Sequence, residues 1–170
     1  MSPVAEALKT VAATLPAGVE LVAVSKFHPA EAIAEAYSAG QRIFGESRVQ
    51  ELSAKIPALP ADIRWHFIGH LQTNKVRKLL EAGPIALIES VDSERVLDAI
   101  DAESARLGIT SRVLMQVHVA AEETKFGFTP EEIEAYFRDR RIESLRATHI
   151  CGLMGMATNT DDTERIAADF

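Results

Sequence analysis

"LVAVSKFHPAEAIAEAYSAGQRIFG", residues 21–45, holds a strand, a helix and the start of a second strand in one short span. Leu21, Val22, Ala23 and Val24 run on without polar alternation, as in a strand buried on both faces. Pro29 suits a first helical turn, "AEAIAEAYSA" is rich in helix formers, and Gly40 is placed to end the helix before "RIFG" begins the next strand. Where strand meets helix stands Lys26, an ammonium at the mouth of an apolar run. It is either a solvated strand end or an amine kept close to low dielectric, where it loses its proton more easily.

The rest of the chain repeats this unit. Glu46 to Ile56 reads as the second helix. "IRWHFIG" is a third strand, followed by the helix "NKVRKLLEAG", which Gly83 and Pro84 stop. "IALIES" is a fourth strand, after which Ser93 is a candidate N-cap and Val96, Leu97, Ile100 and Leu107 share a helical face closed by Gly108. "RVLMQVHVA" is the fifth strand, and Thr129, Pro130 and Glu132 spell a capping box for the next helix. A sixth strand lies within "LRATHICGLMGM", and a last helix starts near Asp161 or Asp162. Six βα units with short connections predict a parallel sheet covered by helices. An open doubly wound sheet would advertise a glycine-rich turn after its first strand, and "SKFHPAE" has none. The predicted fold is therefore α/β, a (β/α)8 TIM-type barrel with about six of its eight units present in a single domain, residues 1–170.

Composition narrows the function classes. The chain has 170 residues, 47% hydrophobic and 25% charged, with a net charge of −7. That balance argues against a general nucleic-acid binder, which needs a cationic footprint, and the basic stretch Lys75, Arg77, Lys78 reads as a solvated helix face. No apolar run approaches bilayer length and the start carries no targeting pattern, so a cytoplasmic protein away from membranes is expected. The single cysteine, Cys151, reads as a small buried residue.

The strand ends carry the chemistry in such barrels. They contain no defensible Ser/His/Asp arrangement and few paired carboxylates, which leaves Lys26 as the most distinctive reactive group. A neutral amine there can attack an aldehyde to form an imine, and pyridoxal 5'-phosphate (PLP) is the usual aldehyde held this way. Gly152 and Gly155 in "CGLMGMAT" permit the close backbone approach that its phosphate needs. His66 and His70 are four apart but straddle a strand and its loop, so no metal site is expected. His118 and His149 read as packed or hydrogen-bonded within strands, and Met115, Met154 and Met156 as core or pocket lining.

Taken together, "LVAVSK", "IAEAYSAGQRIFGESRVQE", "WHFIGHLQTNK", "TKFGF" and "GLMGMA" strongly resemble the YggS/PROSC family, the pyridoxal 5'-phosphate homeostasis proteins. The resemblance implies a PLP barrel of fold type III, similar to the N-terminal domain of alanine racemase, with the cofactor held as an imine on Lys26. It places Val24, Ser47, His66 and Met154 around the cofactor. It implies a cytoplasmic, monomeric, non-catalytic carrier or buffer of PLP that serves PLP-dependent apoenzymes. A PLP-dependent racemase-type enzyme is the alternative. The chain departs from the family in reading "FGES" where members have FGEN, which puts Ser47 in place of a longer amide. It also lacks the family's seventh and eighth strands, whose motifs hold the phosphate. The expectation is that those residues exist in the molecule beyond "ERIAADF", rather than that this is a shortened member.

Overall fold

The computed structural model describes residues 2–120 and 126–170. Its strands are β1 (Ala23–Val24), β2 (Ile43–Glu46), β3 (Arg64–Phe67), β4 (Ile85–Val91), β5 (Ser111–Val117) and β6 (Thr148–Gly155). Its α-helices are α1 (Pro3–Thr14), α2 (Ala30–Ser38), α3 (Val49–Lys55), α4 (Thr73–Glu81), α5 (Glu94–Leu107), α6 (Pro130–Arg138) and α7 (Thr163–Ala168). All strand pairs are parallel and the sheet order is β1-β2-β3-β4-β5-β6. This strictly sequential order separates the two architectures left open by strand count alone. A doubly wound sheet reverses its order at a switch point, whereas a barrel adds each new strand on the same side. The chain is six βα units of a TIM-type barrel, with β1 and β6 as the edges of the sheet.

Local signals account for several element ends. Thr129 and Glu132 form the full reciprocal capping box at α6. Gly108 closes α5 in the left-handed region at φ 66°. Asp162 caps α7 by accepting from the N–H groups of Glu164 and Arg165. Ser93 occupies the N-cap position of α5, but its hydroxyl turns to Asp92 instead of the helix N–H groups. The sequence reading assigned no helix before β1; Ser2 and Pro3, a cap followed by proline in the first turn, are the signal for α1.

One core lies between the sheet and its helices. Phe44, Trp65, Phe67 and Met115 from the strands meet Leu52, Val76, Leu79 and Leu97 from the helices, all almost fully buried. Burying side chains of this size contributes about 1.5–3 kcal/mol each. On the outer face of α4, Arg77 pairs with Glu81, which also accepts from Arg106 of α5.

Several expectations need correction. β1 is two residues long and Val24 is 52% exposed, because an edge strand has a neighbour on one side only. Glu46 ends β2 rather than opening a helix, and α3 starts at Val49. Cys151 is exposed on β6, where it accepts from Arg112 Nε at 3.4 Å, and His149 is also exposed. Both lie on an edge strand that no second strand covers among the described residues. Met115 is buried, whereas Met156 is exposed.

Candidate functional site

The site grows from the end of β1. Ser25 continues the ladder by donating its N–H to Gly45 O at 2.9 Å, and its side chain is buried. Lys26 follows and is exposed. Its Nζ lies 5.9 Å from the centroid of the Phe27 ring, and it has no ion-pair partner among the described residues. The expectation of an amine drawn into low dielectric is thus not met within these residues. What the position offers is an exposed amine without an ion-pair partner among the described residues.

Beneath the turn lies a buried charge cluster that the sequence reading did not find. Lys55 Nζ donates to Glu46 Oε1 at 2.7 Å, to Ser25 O at 3.0 Å and to Glu51 Oε2 at 3.4 Å. Ser25 Oγ donates to the same Glu46 oxygen at 2.6 Å, and the N–H of Phe27 donates to Glu51 Oε2 at 2.9 Å. The Phe27 hydrogen bond, ahead of the Lys55 ammonium, holds the Glu51 carboxyl below the usual carboxylate range. Glu46 is fully buried, and its Oε2 has no hydrogen-bond partner among the described residues. Phe27 adopts φ 66°, a left-handed conformation that costs a non-glycine residue about 1–2 kcal/mol. Its ring carries the Arg48 guanidinium at 4.7 Å. A usable signal existed in the sequence: Lys55 falls at helical spacing with Val49 and Leu52 on the buried face of α3.

Strand register sets the next group beside the first. Val24 pairs with Gly45, and Gly45 with His66, so the three lie in one row on one face of the sheet. His66 is buried and its Nδ1 lies 2.5 Å from Glu89 Oε1 on β4. A carboxylate oxygen accepts, so Nδ1 is the donor and Nε2 faces away from that bond. His70 forms a second pair with Asp92, Nδ1 to Oδ2 at 2.6 Å, and its ring stacks on Phe126 at 3.9 Å. The two histidines have different carboxylate partners, and among the described residues no group of three or more His, Cys, Asp or Glu side chains could hold a metal ion. Neither Glu89, inside β4, nor Asp92, just past its end, stood out in the sequence, because each is more than twenty residues from its histidine.

Ser47 follows β2 and is half-buried. The loop after β3 presses on it so closely that a Cβ on Gly69 would sit 2.2 Å from Ser47 O, which only glycine permits. Ser90 Oγ in turn donates to Gly69 O at 2.5 Å, so the ends of β2, β3 and β4 are stacked on one another. Met154 is half-buried on β6 opposite Gln116. The structure therefore gathers Val24, Lys26, Ser47 and His66 on adjacent strands, and sets Met154 at the other edge of the sheet. Of "TKFGF", Thr124 and Lys125 lie outside the described residues, while Phe128 is buried.

Comparisons with known proteins agree with this architecture. The profile of the alanine racemase N-terminal domain matches residues 2–170. The pyridoxal phosphate homeostasis protein of Schizosaccharomyces pombe is 38% identical over 79% of this chain and 56% of its own length. That of Helicobacter pylori is 40% identical over 89% of this chain and 68% of its own. The chain thus spans little more than half to two thirds of these relatives. PipY of Synechococcus elongatus, solved without PLP, is 40% identical with a TM-score of 0.86, covering 94% of this chain and 73% of that one. The same protein solved with PLP bound is 39% identical with a TM-score of 0.80, covering 92% and 72%. Alanine racemase from E. faecalis shares the fold alone, at 17% identity and a TM-score of 0.71 over 98% of this chain and 45% of that one. On the profile match across its length and on relatives that it covers for two thirds or more, the chain belongs to the alanine racemase N-terminal domain family, among the pyridoxal phosphate homeostasis proteins.

Proposed function

We propose that this protein binds PLP as a carrier or buffer in intracellular PLP homeostasis, and that Lys26 is the residue that holds it. One observation carries the reading: at the carboxyl end of β1 the chain presents an exposed primary amine without a carboxylate partner among the described residues, on a turn whose backbone is tied from below. The donor set fits the group, because a free amine is what an aldehyde requires. PLP supplies that aldehyde and an anionic phosphate. The Lys26 amine adds to the aldehyde carbon and water leaves. His66, held by Glu89, and Ser47 stand on neighbouring strands where their polar atoms can meet the ring substituents, and Val24 offers an apolar edge. Met154 belongs to the same set through the family resemblance. Residues 1–170 act as one unit of this site, in a monomeric cytoplasmic protein whose partners are PLP-dependent apoenzymes. The PLP-bound PipY structure and the names of the curated relatives support the reading.

Titration with PLP, followed by borohydride reduction and intact mass measurement, tests it. A visible absorbance band and a pyridoxyl adduct on Lys26, both absent from Lys26→Ala, are expected. A band of unchanged intensity in Lys26→Ala overturns the assignment. Robust racemisation of amino acids with α-proton exchange would replace the carrier reading with an enzymatic one.

A further inference from the structure

We infer that Lys55 is a positioning residue for Lys26, acting through Ser25, Glu46 and Glu51 to set the direction in which the Lys26 side chain leaves β1. The inference rests on the reading that Lys26 holds PLP, and it concerns residues with no assigned role in that reading.

Two peptide groups flank the Cα of Lys26, one carrying the carbonyl of Ser25 and the other the N–H of Phe27. Lys55 Nζ donates to that carbonyl directly, at 3.0 Å. Glu51 Oε2, which accepts from Phe27 N–H at 2.9 Å, also lies 3.4 Å from Lys55 Nζ. Both peptide planes are therefore referred to a single buried cation, and the backbone torsions of Lys26 follow from its position. Glu46 completes the frame by accepting from Lys55 and from Ser25 Oγ with one oxygen. An ammonium has three protons to donate, and the three oxygens around Lys55 use all of them.

Stability alone does not explain this arrangement. Buried ion pairs are frequently replaced by apolar residues of similar volume at no loss of stability, and Lys55 sits among apolar neighbours on α3. The cluster also leaves Glu46 Oε2 buried without a partner and keeps Phe27 left-handed. Local rules broken together at one turn mark a place where geometry is maintained for function.

The test uses the charge-balanced double variant Glu46→Gln/Lys55→Met, with Ser25→Ala as a second, milder probe. PLP is titrated into each protein, and visible circular dichroism is recorded per bound cofactor alongside far-ultraviolet dichroism and Tm. A residue that only stabilises the fold lowers Tm without changing the ellipticity of each bound cofactor. A positioning residue changes that ellipticity in a folded protein. The double variant is expected to raise the apparent Kd about tenfold, as misplacement of a reacting group does, and to lose at least about half of the ellipticity per bound cofactor. If the double variant does not fold, Ser25→Ala decides: a Kd raised about threefold, the size of one lost hydrogen bond, with reduced ellipticity supports the inference. Wild-type Kd and ellipticity in a folded double variant, or in Ser25→Ala where the double variant does not fold, overturn it. Lys26→Ala separates the two readings. If it abolishes the band while the clamp variants behave as wild type, only this inference fails; if it leaves the band intact, the assignment of Lys26 fails first.

Discussion

Lys26, at the carboxyl end of β1, is exposed and has no ion-pair partner among the described residues, whereas Lys55, on α3 beneath the same turn, is 8% exposed and donates to three oxygens. The two side chains carry the same ammonium group and differ in everything around it. A carboxylate in contact holds a lysine side chain in place, which suits a structural cation, whereas an amine without such a contact is left accessible to a ligand. The fold keeps both kinds within one turn by placing Glu46 and Glu51 below the backbone. The exposed Lys26 amine is thereby separated from the charges that hold its strand.

The largest effect expected from breaking this contrast is that of Lys55→Met. It strands the fully buried Glu46 carboxylate, and urea unfolding should show a loss of about 3–5 kcal/mol. Glu46→Gln is milder. It keeps an oxygen for Ser25 Oγ and leaves Lys55 with Glu51 and Ser25 O, so about 1–3 kcal/mol should be lost in the same measurement.

Acid should sharpen the contrast further. The Glu51 carboxyl titrates below its unfolded value of 4.5, chiefly through the Phe27 hydrogen bond and then through Lys55. Its contribution to stability is therefore fully present above about pH 4.5 and is lost as pH falls through the lower folded-state value. Urea midpoints measured from pH 6 downward should fall more steeply for the wild type than for Glu51→Gln. The smallest stability change belongs to Lys26→Met. An exposed lysine without an ion-pair partner among the described residues should change unfolding by no more than about 0.5 kcal/mol, while on the proposed reading the visible band of bound PLP should disappear altogether. A stability loss at Lys26 rivalling that at Lys55 would erase the distinction between the two sites.

Much of this architecture was legible before the structure. The βα rhythm showed in apolar runs followed by caps, and the capping box at Thr129 and Glu132 formed as spelled. Absence of a glycine-rich turn in "SKFHPAE" pointed to a barrel, and the sequential strand order bears that out. The strand end carrying Lys26 was also readable, because an apolar run stopping at a cation is a local pattern. Burial near the edges is what the sequence does not reveal. Val24, His149 and Cys151 stand in apolar surroundings in the sequence, but β1 and β6 each have one neighbour, so these side chains are exposed. Glu46 was misplaced into a helix because its role as a strand-end acceptor depends on Lys55, which reaches it from α3.

The sequence by itself determined the order of the six strands and of the helices that follow them, the caps at Thr129 and Asp162, and the place of Lys26 at the end of β1. These signals act between residues a few positions apart, where covalent connection limits the geometry. Only the tertiary structure decided which polar groups meet. Lys55 reaches Ser25 across 30 residues and His66 reaches Glu89 across 23. Such pairings depend on the register of parallel strands and on the seating of a helix against them, which no local stretch encodes.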